Sequence, residues 1–303
     1  MKRFAVLVGL FVSFTVTAQD DSLVEFARVH RFCEGAVFDA DGNLYVSHRP
    51  FVSKIAPDGT VTRWAEPGHP NGHKILADGT HLVADRQVLH LSADGNVLGT
   101  AADTCGQYPT RETNDISLNP DGGFYFTDPG VIAEGALERT IGRVCFASPD
   151  GETRLVADGL SYPNGIVVRP GGRTLVVGEF GKNRVLEYEV LAPGEVGEMR
   201  VLVELPGGGD ALSGPDGMAL DTNGTLYIAQ YGQQKIQVVS VDGELLQSLP
   251  AGNLGASNVA FGGENMNYLY TTGGGAGVVS DGPGIIYRLE VPNATGLKIL
   301  PGQ

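Results

Sequence analysis

Six times along this chain an acidic or amide residue stands eight positions ahead of a turn. Glu34 precedes Gly42, Asn71 precedes Gly79, Asn114 precedes Gly122, Asn164 precedes Gly172, Asp216 precedes Gly224, and Asn258 precedes Met266. An apolar segment follows each turn, at residues 44–47, 82–85, 124–128, 175–179, 226–230 and 268–272. A second set of turns lies between the first: Asp58-Gly59, Asp94-Gly95, Asp150-Gly151, Pro193-Gly194, Asp242-Gly243 and Pro292-Asn293. Each unit thus reads as two hairpins, or four short strands, recurring at roughly 40–50 residues. The Asp-Gly pairs suit tight turns, because glycine accepts positive φ without a steric cost.

Few architectures accept such a repeat. The flanking runs are rich in Val, Ile, Leu, Tyr and Phe, and no 3.6-residue periodicity is sustained, so helix is nearly absent from this reading. An open solenoid needs polar capping repeats, and none is visible. The expectation is an all-β, six-bladed β-propeller with four antiparallel strands per blade, which removes exposed sheet edges by closing radially. Residues 23–29 precede the first unit and are expected to supply the outer strand of the last blade. Extra length at residues 191–209, rich in Gly, Pro and Glu, is expected as a loop at the rim of the central site.

The first residues read as an export signal. Lys2 and Arg3 lead an apolar run that ends at Val16-Thr17-Ala18, a small-residue cleavage site, giving a signal peptide at 1–18 and one domain at 19–303. An exported protein, periplasmic or secreted, with no membrane attachment after cleavage is expected. The net charge is −14, with no basic stripe, which argues against nucleic acid and against anionic membranes. Three cysteines, Cys33, Cys105 and Cys145, allow three single bridges or none. Cys105–Cys145 is the first choice, because both fall in one repeat.

In a propeller the innermost strand of each blade lines the central channel. Equal offsets in equivalent units put the six ring positions at one height, opening at one mouth of that channel. Glu34 and Asp216 supply formal charge and four asparagines supply neutral oxygens. Oxygen-only ligation of this kind suits Ca²⁺, with Mg²⁺, Mn²⁺ and Zn²⁺ as alternatives. The bland reading is that Asn and Asp at strand starts satisfy backbone groups in turns. It applies least to Glu34, because Glu has no special turn chemistry and strands disfavour it.

The segments CEGAVFDADGNLYVSH, NGHKILADGTHLVAD, TNDISLNPDGGFYFTDPG, SYPNGIVVRPGGRTLVVGE and SGPDGMALDTNGTLYIAQYG occur in order along the chain. As an ordered set they resemble the family of gluconolactonase and regucalcin (senescence marker protein). Diisopropyl fluorophosphatase and paraoxonase are similar more distantly. The resemblance implies metal ligation by Glu34, Asn114, Asn164 and Asp216, with Asp216 also the proposed general base. Asn114 is either a ligand or a catalytic group that holds the substrate or a metal-bound water. The chain departs from the family where sugar-lactonase relatives carry an arginine two residues before the asparagine matched by Asn114. Glu112 stands there, with Arg111 displaced by one. The first inner strand ends in His48, where aspartate is common.

The expected function is therefore calcium-dependent opening of lactone rings, of sugar lactones first. Phosphotriester hydrolysis at the same site, or a non-catalytic ligand-binding propeller with structural calcium, are the alternatives. The partner is a small-molecule substrate, and nothing in the sequence sets the oligomeric state. Asn71, His48, His73 and Glu112 are the candidate substrate contacts. Glu112 is expected either to repel anionic lactones, so that neutral ones are preferred, or to pair with Arg111 and select nothing. No HExxH or GxSxG arrangement offers a rival site.

Overall fold

The computed structural model describes residues 23–208, 212–274 and 282–297. The expected signal at 1–18 lies outside the described residues. Six four-stranded antiparallel sheets make six blades, five of them with neighbouring strands in chain order from the centre outward. The innermost strands are Glu34–Phe38, His73–Ile75, Ile116–Leu118, Pro163–Val168, Gly214–Leu220 and Gly255–Gly262, for blades 1 to 6. Strand Val24–Val29 pairs antiparallel with Gly284–Glu290, so blade 6 takes its outer strand from the start of the described chain. The two ends of the repeat are joined by this sheet.

The turn grammar holds in detail. Gly42, Gly79, Gly122, Gly172, Gly224 and Met266 all have left-handed φ, so the eight-residue offset ends on the same backbone conformation in every blade. Met266 is the one position of the six where a side chain accepts that conformation. Pro292-Asn293 differs from expectation, since it closes no hairpin. Blade 6 already has its fourth strand, and the chain runs on to pair Gly296 with Asp221 of blade 5. Residues 191–209 also divide. Their first part belongs to a long hairpin of strands Arg184–Ala192 and Glu195–Glu204, whose turn lies on the side of the Gly172 turn, away from the strand starts. Only the end of the stretch reaches the rim, where Pro206 accepts a bond from Gln230.

Apolar side chains gather between blades rather than at the centre. Six buried clusters fill the six blade junctions, for example Tyr227, Val259 and Phe261 between blades 5 and 6. Burial there supplies the main stabilisation, on the order of 2 kcal/mol for each large side chain. The axis is left to buried polar residues such as Ser47, Thr127, Ser257 and Thr272. Cys105 and Cys145 form a disulfide that ties the small hairpin of Thr104–Cys105 and Tyr108–Pro109 to blade 3, while Cys33 is buried and free. Two 3₁₀ turns, Ile132–Glu134 and Phe180–Lys182, complete the elements among the described residues.

Candidate functional site

Regular pairing breaks at each ring position. In blades 1, 4, 5 and 6 the register between first and second strands shifts at Glu34/Val37, Pro163/Ile166, Pro215/Met218 and Ala256/Asn258. In blades 2 and 3, pairing begins only at His73 and Ile116, two residues past Asn71 and Asn114. A bulge of this kind re-aims a side chain off the sheet face. Glycine follows four of the six ring residues because the next blade's ring residue packs against it. A Cβ on Gly35 would lie 2.0 Å from the Asn71 carbonyl oxygen, and one on Gly165 would lie 2.1 Å from that of Asp216. Each ring residue is thereby held by its neighbour's backbone. Gly72 donates to the Asn114 carbonyl at 2.7 Å, and Thr127 Oγ1 donates to that of Asn164 at 2.8 Å.

Five of the six ring residues meet in one cavity of about 400 Å³: Glu34, Asn71, Asn114, Asn164 and Asp216. Asn258 is absent from its lining; its Oδ1 accepts the Val259 backbone N–H at 2.9 Å, the backbone-satisfying role. The cavity is electrostatically unbalanced at its floor. Burial pushes the Glu34 carboxyl from 4.5 up to about 7, with Arg49 opposing and Asp115 and Glu112 adding to the rise. Burial, then the Glu34 and Asp115 charges, hold Asp216 well above the usual carboxylate range, although Gly217 N–H and the Asn164 side chain hydrogen-bond to it. The Oδ1 of Asn164 is buried and meets no donor among the described residues.

Two carboxylates crowded together beside an unpartnered amide oxygen make a donor set suited to a hard divalent cation. It is a set of acids and amides. Among the described residues no three His, Cys, Asp or Glu side chains are arranged so that they alone could hold a metal ion.

The four candidate substrate contacts separate. Asn71 and His48 line the cavity. His48 is held by Ser53 Oγ at 2.7 Å from its Nε2, and burial with His30 nearby lowers its pKa to about 4, so it is a neutral imidazole. His73 does not reach the cavity. It is buried between blades 1 and 2, with its Nε2 2.7 Å from His81 Nδ1 and its ring stacked on Trp64, because the second residue past the ring position, where regular pairing begins, turns into the blade junction. Glu112 does not line the cavity either, and its partner is not Arg111. Its Oε1 accepts from Arg49 Nη2 at 2.5 Å, while Arg111 bonds the Ile141 carbonyl.

Other groups complete the lining. Arg31 and Arg49 bring positive charge to it, and Phe32, Tyr162, Phe180 and Tyr231 with Ile132, Leu137 and Leu212 form an apolar wall. Tyr162 keeps its place with φ of 49°, an uncommon conformation for a bulky residue, and its ring meets Phe180 edge-on at 5.7 Å. Apart from Tyr231, which ends strand Leu226–Tyr231, these residues lie in the connections on the ring side of the blades. The signal that finds them is position: just before a ring residue or just after a second strand.

Comparison with known proteins places this geometry. Residues 32–274 match the family model described as SMP-30/Gluconolactonase/LRE-like region. Lactonase drp35 of Staphylococcus saprophyticus is 30% identical over 244 residues, covering 76% of this chain and 72% of that protein. Diisopropyl-fluorophosphatase of Loligo vulgaris is 26% identical over 238 residues, covering 69% and 75%. Among solved structures, a calcium-binding protein, regucalcin, from Agrobacterium tumefaciens superposes with a TM-score of 0.76 at 20% identity, covering 92% of this chain and 98% of that one. That last likeness shows the fold.

Proposed function

The chain belongs to the SMP-30/Gluconolactonase/LRE-like family, and from that membership we propose that it is a lactone-opening hydrolase working with a divalent cation, calcium first, in its central cavity. The lactonase names among its relatives support the hydrolase class. The observation that carries the reading is the pair Glu34 and Asp216, both raised in pKa within one cavity, beside the unpartnered Asn164 Oδ1. Charge in such a site is favourable only when a cation balances it.

Glu34, Asp216, Asn164 and Asn114 would hold the ion, which supplies Lewis-acid polarisation of the lactone carbonyl when bound. The remaining chemistry belongs to the chain. Asp216 accepts a proton from the attacking water, whose oxygen bonds to the acyl carbon. The ring C–O bond breaks, the ring oxygen takes up the proton, and a hydroxy acid leaves. The Asn71 amide offers hydrogen bonds to the substrate's oxygens, and the neutral His48 ring forms part of the surface beside it. The apolar wall of Phe32, Tyr162 and Phe180 excludes bulk water and strengthens these polar contacts. Export through an N-terminal signal, as one domain from residue 19, completes the proposal. The apolar run at the start of the sequence and the Cys105–Cys145 disulfide support it.

The test is a hydrolysis panel on purified mature protein with and without calcium, covering aldonolactones, alkyl lactones and phosphotriesters. Calcium-dependent lactone opening supports the proposal. Phosphotriester turnover alone favours the second reading, which the fluorophosphatase relative motivates. Calcium binding with no turnover of any kind leaves a ligand-binding propeller.

A further inference from the structure

Positive charge enters the cavity from a position other than the one beside Asn114. Arg49 follows the last residue of strand Leu44–His48 and lines the cavity, as does Arg31. The Arg49 guanidinium makes one hydrogen bond among the described residues, from Nη2 to Glu112 Oε1 at 2.5 Å. A guanidinium carries five N–H donors, so most of its capacity is unspent. Its side chain is 44% exposed, against 23% for Glu112. Glu112 thus stands behind Arg49, and the group presented to the cavity at this point is the cation.

Charge balance around the lining points the same way. Within the lining itself two carboxylates face two guanidiniums, and behind them Glu112 pairs with Arg49 while the Asp115 charge acts on Glu34 and Asp216. A divalent cation held by Glu34 and Asp216 would offset those carboxylates and leave the lining guanidiniums available to an anion, whose attraction a low-dielectric wall of aromatic and aliphatic side chains would strengthen. The apolar groups Tyr162, Phe180, Leu212 and Tyr231 offer contact area for a substrate body. A polyhydroxylated ring would leave that area poorly matched.

We propose that Arg49 is a substrate-positioning residue that binds a carboxylate or similar anionic oxygen group carried by the lactone, with Glu112 orienting the guanidinium and competing for it. The substrate class is then a lactone with a partly apolar body and an anionic substituent. The inference rests on the lactone reading for the word lactone and on the geometry alone for the anion. It reverses the preference for neutral substrates expected from Glu112 in the sequence.

Calorimetry with unreactive analogues tests it. The probes are a γ-lactam bearing a carboxylate and the same γ-lactam bearing a primary carboxamide, titrated into calcium-loaded protein. Wild type should bind the carboxylate at least about 10-fold more tightly, as a charge-assisted bidentate contact allows. Arg49→Gln should abolish that preference while leaving carboxamide affinity within about 3-fold, and Arg49→Lys should retain part of it. Glu112→Gln should raise carboxylate affinity by removing the competitor. Unaltered thermal unfolding of the variants excludes a folding defect as the cause. Equal binding of both probes by wild type would overturn the proposal. So would a carboxylate preference that survives Arg49→Gln, which would put the anion on the metal instead. Because the lactams are not hydrolysed, these outcomes stand even if wild type opens no lactone, a result that would sink the hydrolase reading alone.

Discussion

Replacing Glu34 by glutamine in the metal-free protein should stabilise it at alkaline pH, the reverse of what removal of a buried ligand ordinarily does. The folded Glu34 carboxyl is pushed by burial from 4.5 to about 7. Between those values the native state binds more protons than the unfolded chain, so stability falls as pH rises. It is fully present below about 4.5 and is lost as pH passes through about 7. The displacement corresponds to at most about 3 kcal/mol at 1.36 kcal/mol per pH unit, and to about 2 kcal/mol once cavity water screens the charge. Asp216 is pushed the same way by burial and by Glu34 itself, so Glu34→Gln also relieves its neighbour. Urea unfolding in excess chelator at pH 5, 6, 7 and 8 measures this. Wild type should lose stability across the series, and Glu34→Gln should lose less and exceed wild type by about 2 kcal/mol at pH 8. Saturating calcium should restore wild type and leave the variant behind. A variant less stable than wild type in chelator at pH 8, with the same pH slope, would refute the reasoning.

Other perturbations probe separate parts of the account. Asp216→Asn keeps an oxygen for the ion but cannot take a proton, so steady-state kinetics should show kcat reduced about 10²-fold or more while calcium still binds measurably. Gly165→Ala puts a Cβ 2.1 Å from the Asp216 carbonyl oxygen, so calorimetry should show calcium affinity sharply reduced, with a loss of roughly 1–3 kcal/mol of stability. Removing the Cys105–Cys145 disulfide, which spans 40 residues, by a double alanine change should cost about 4 kcal/mol in a urea titration.

The repeat was legible in the sequence because both of its markers are local. A turn needs a left-handed residue, and the strands on either side need an apolar face, so Gly42 and its five equivalents announce the blades. The ring residues were legible as offsets from those turns. Their actual convergence depends on a register shift in four inner strands and on a late start of pairing in the other two, pairing properties with no composition of their own, and Asn258 shows that the offset alone is insufficient. The glycine after Glu34, Asn71, Asn164 and Asp216 carries the missing information, since it records the next blade's backbone passing within contact. His73 was misplaced because regular pairing begins at it, two residues past Asn71, and carries its ring into the blade junction toward Trp64 and His81 rather than to the axis. Arg49 and the apolar wall were missed for a different reason. Apart from Tyr231, they occupy non-repeating connections between strands, and only the closed ring puts Phe32, Tyr162 and Phe180 beside one another.

The most direct test of the central claim is lactone hydrolysis by chelator-stripped mature protein as free calcium is restored, with ion occupancy followed by calorimetry on the same sample. Rates should start near zero and rise to a plateau with a midpoint equal to the dissociation constant of a single site, and that site should be lost in Glu34→Gln. Turnover that survives chelation unchanged, or a rate midpoint unrelated to occupancy of that site, would contradict it.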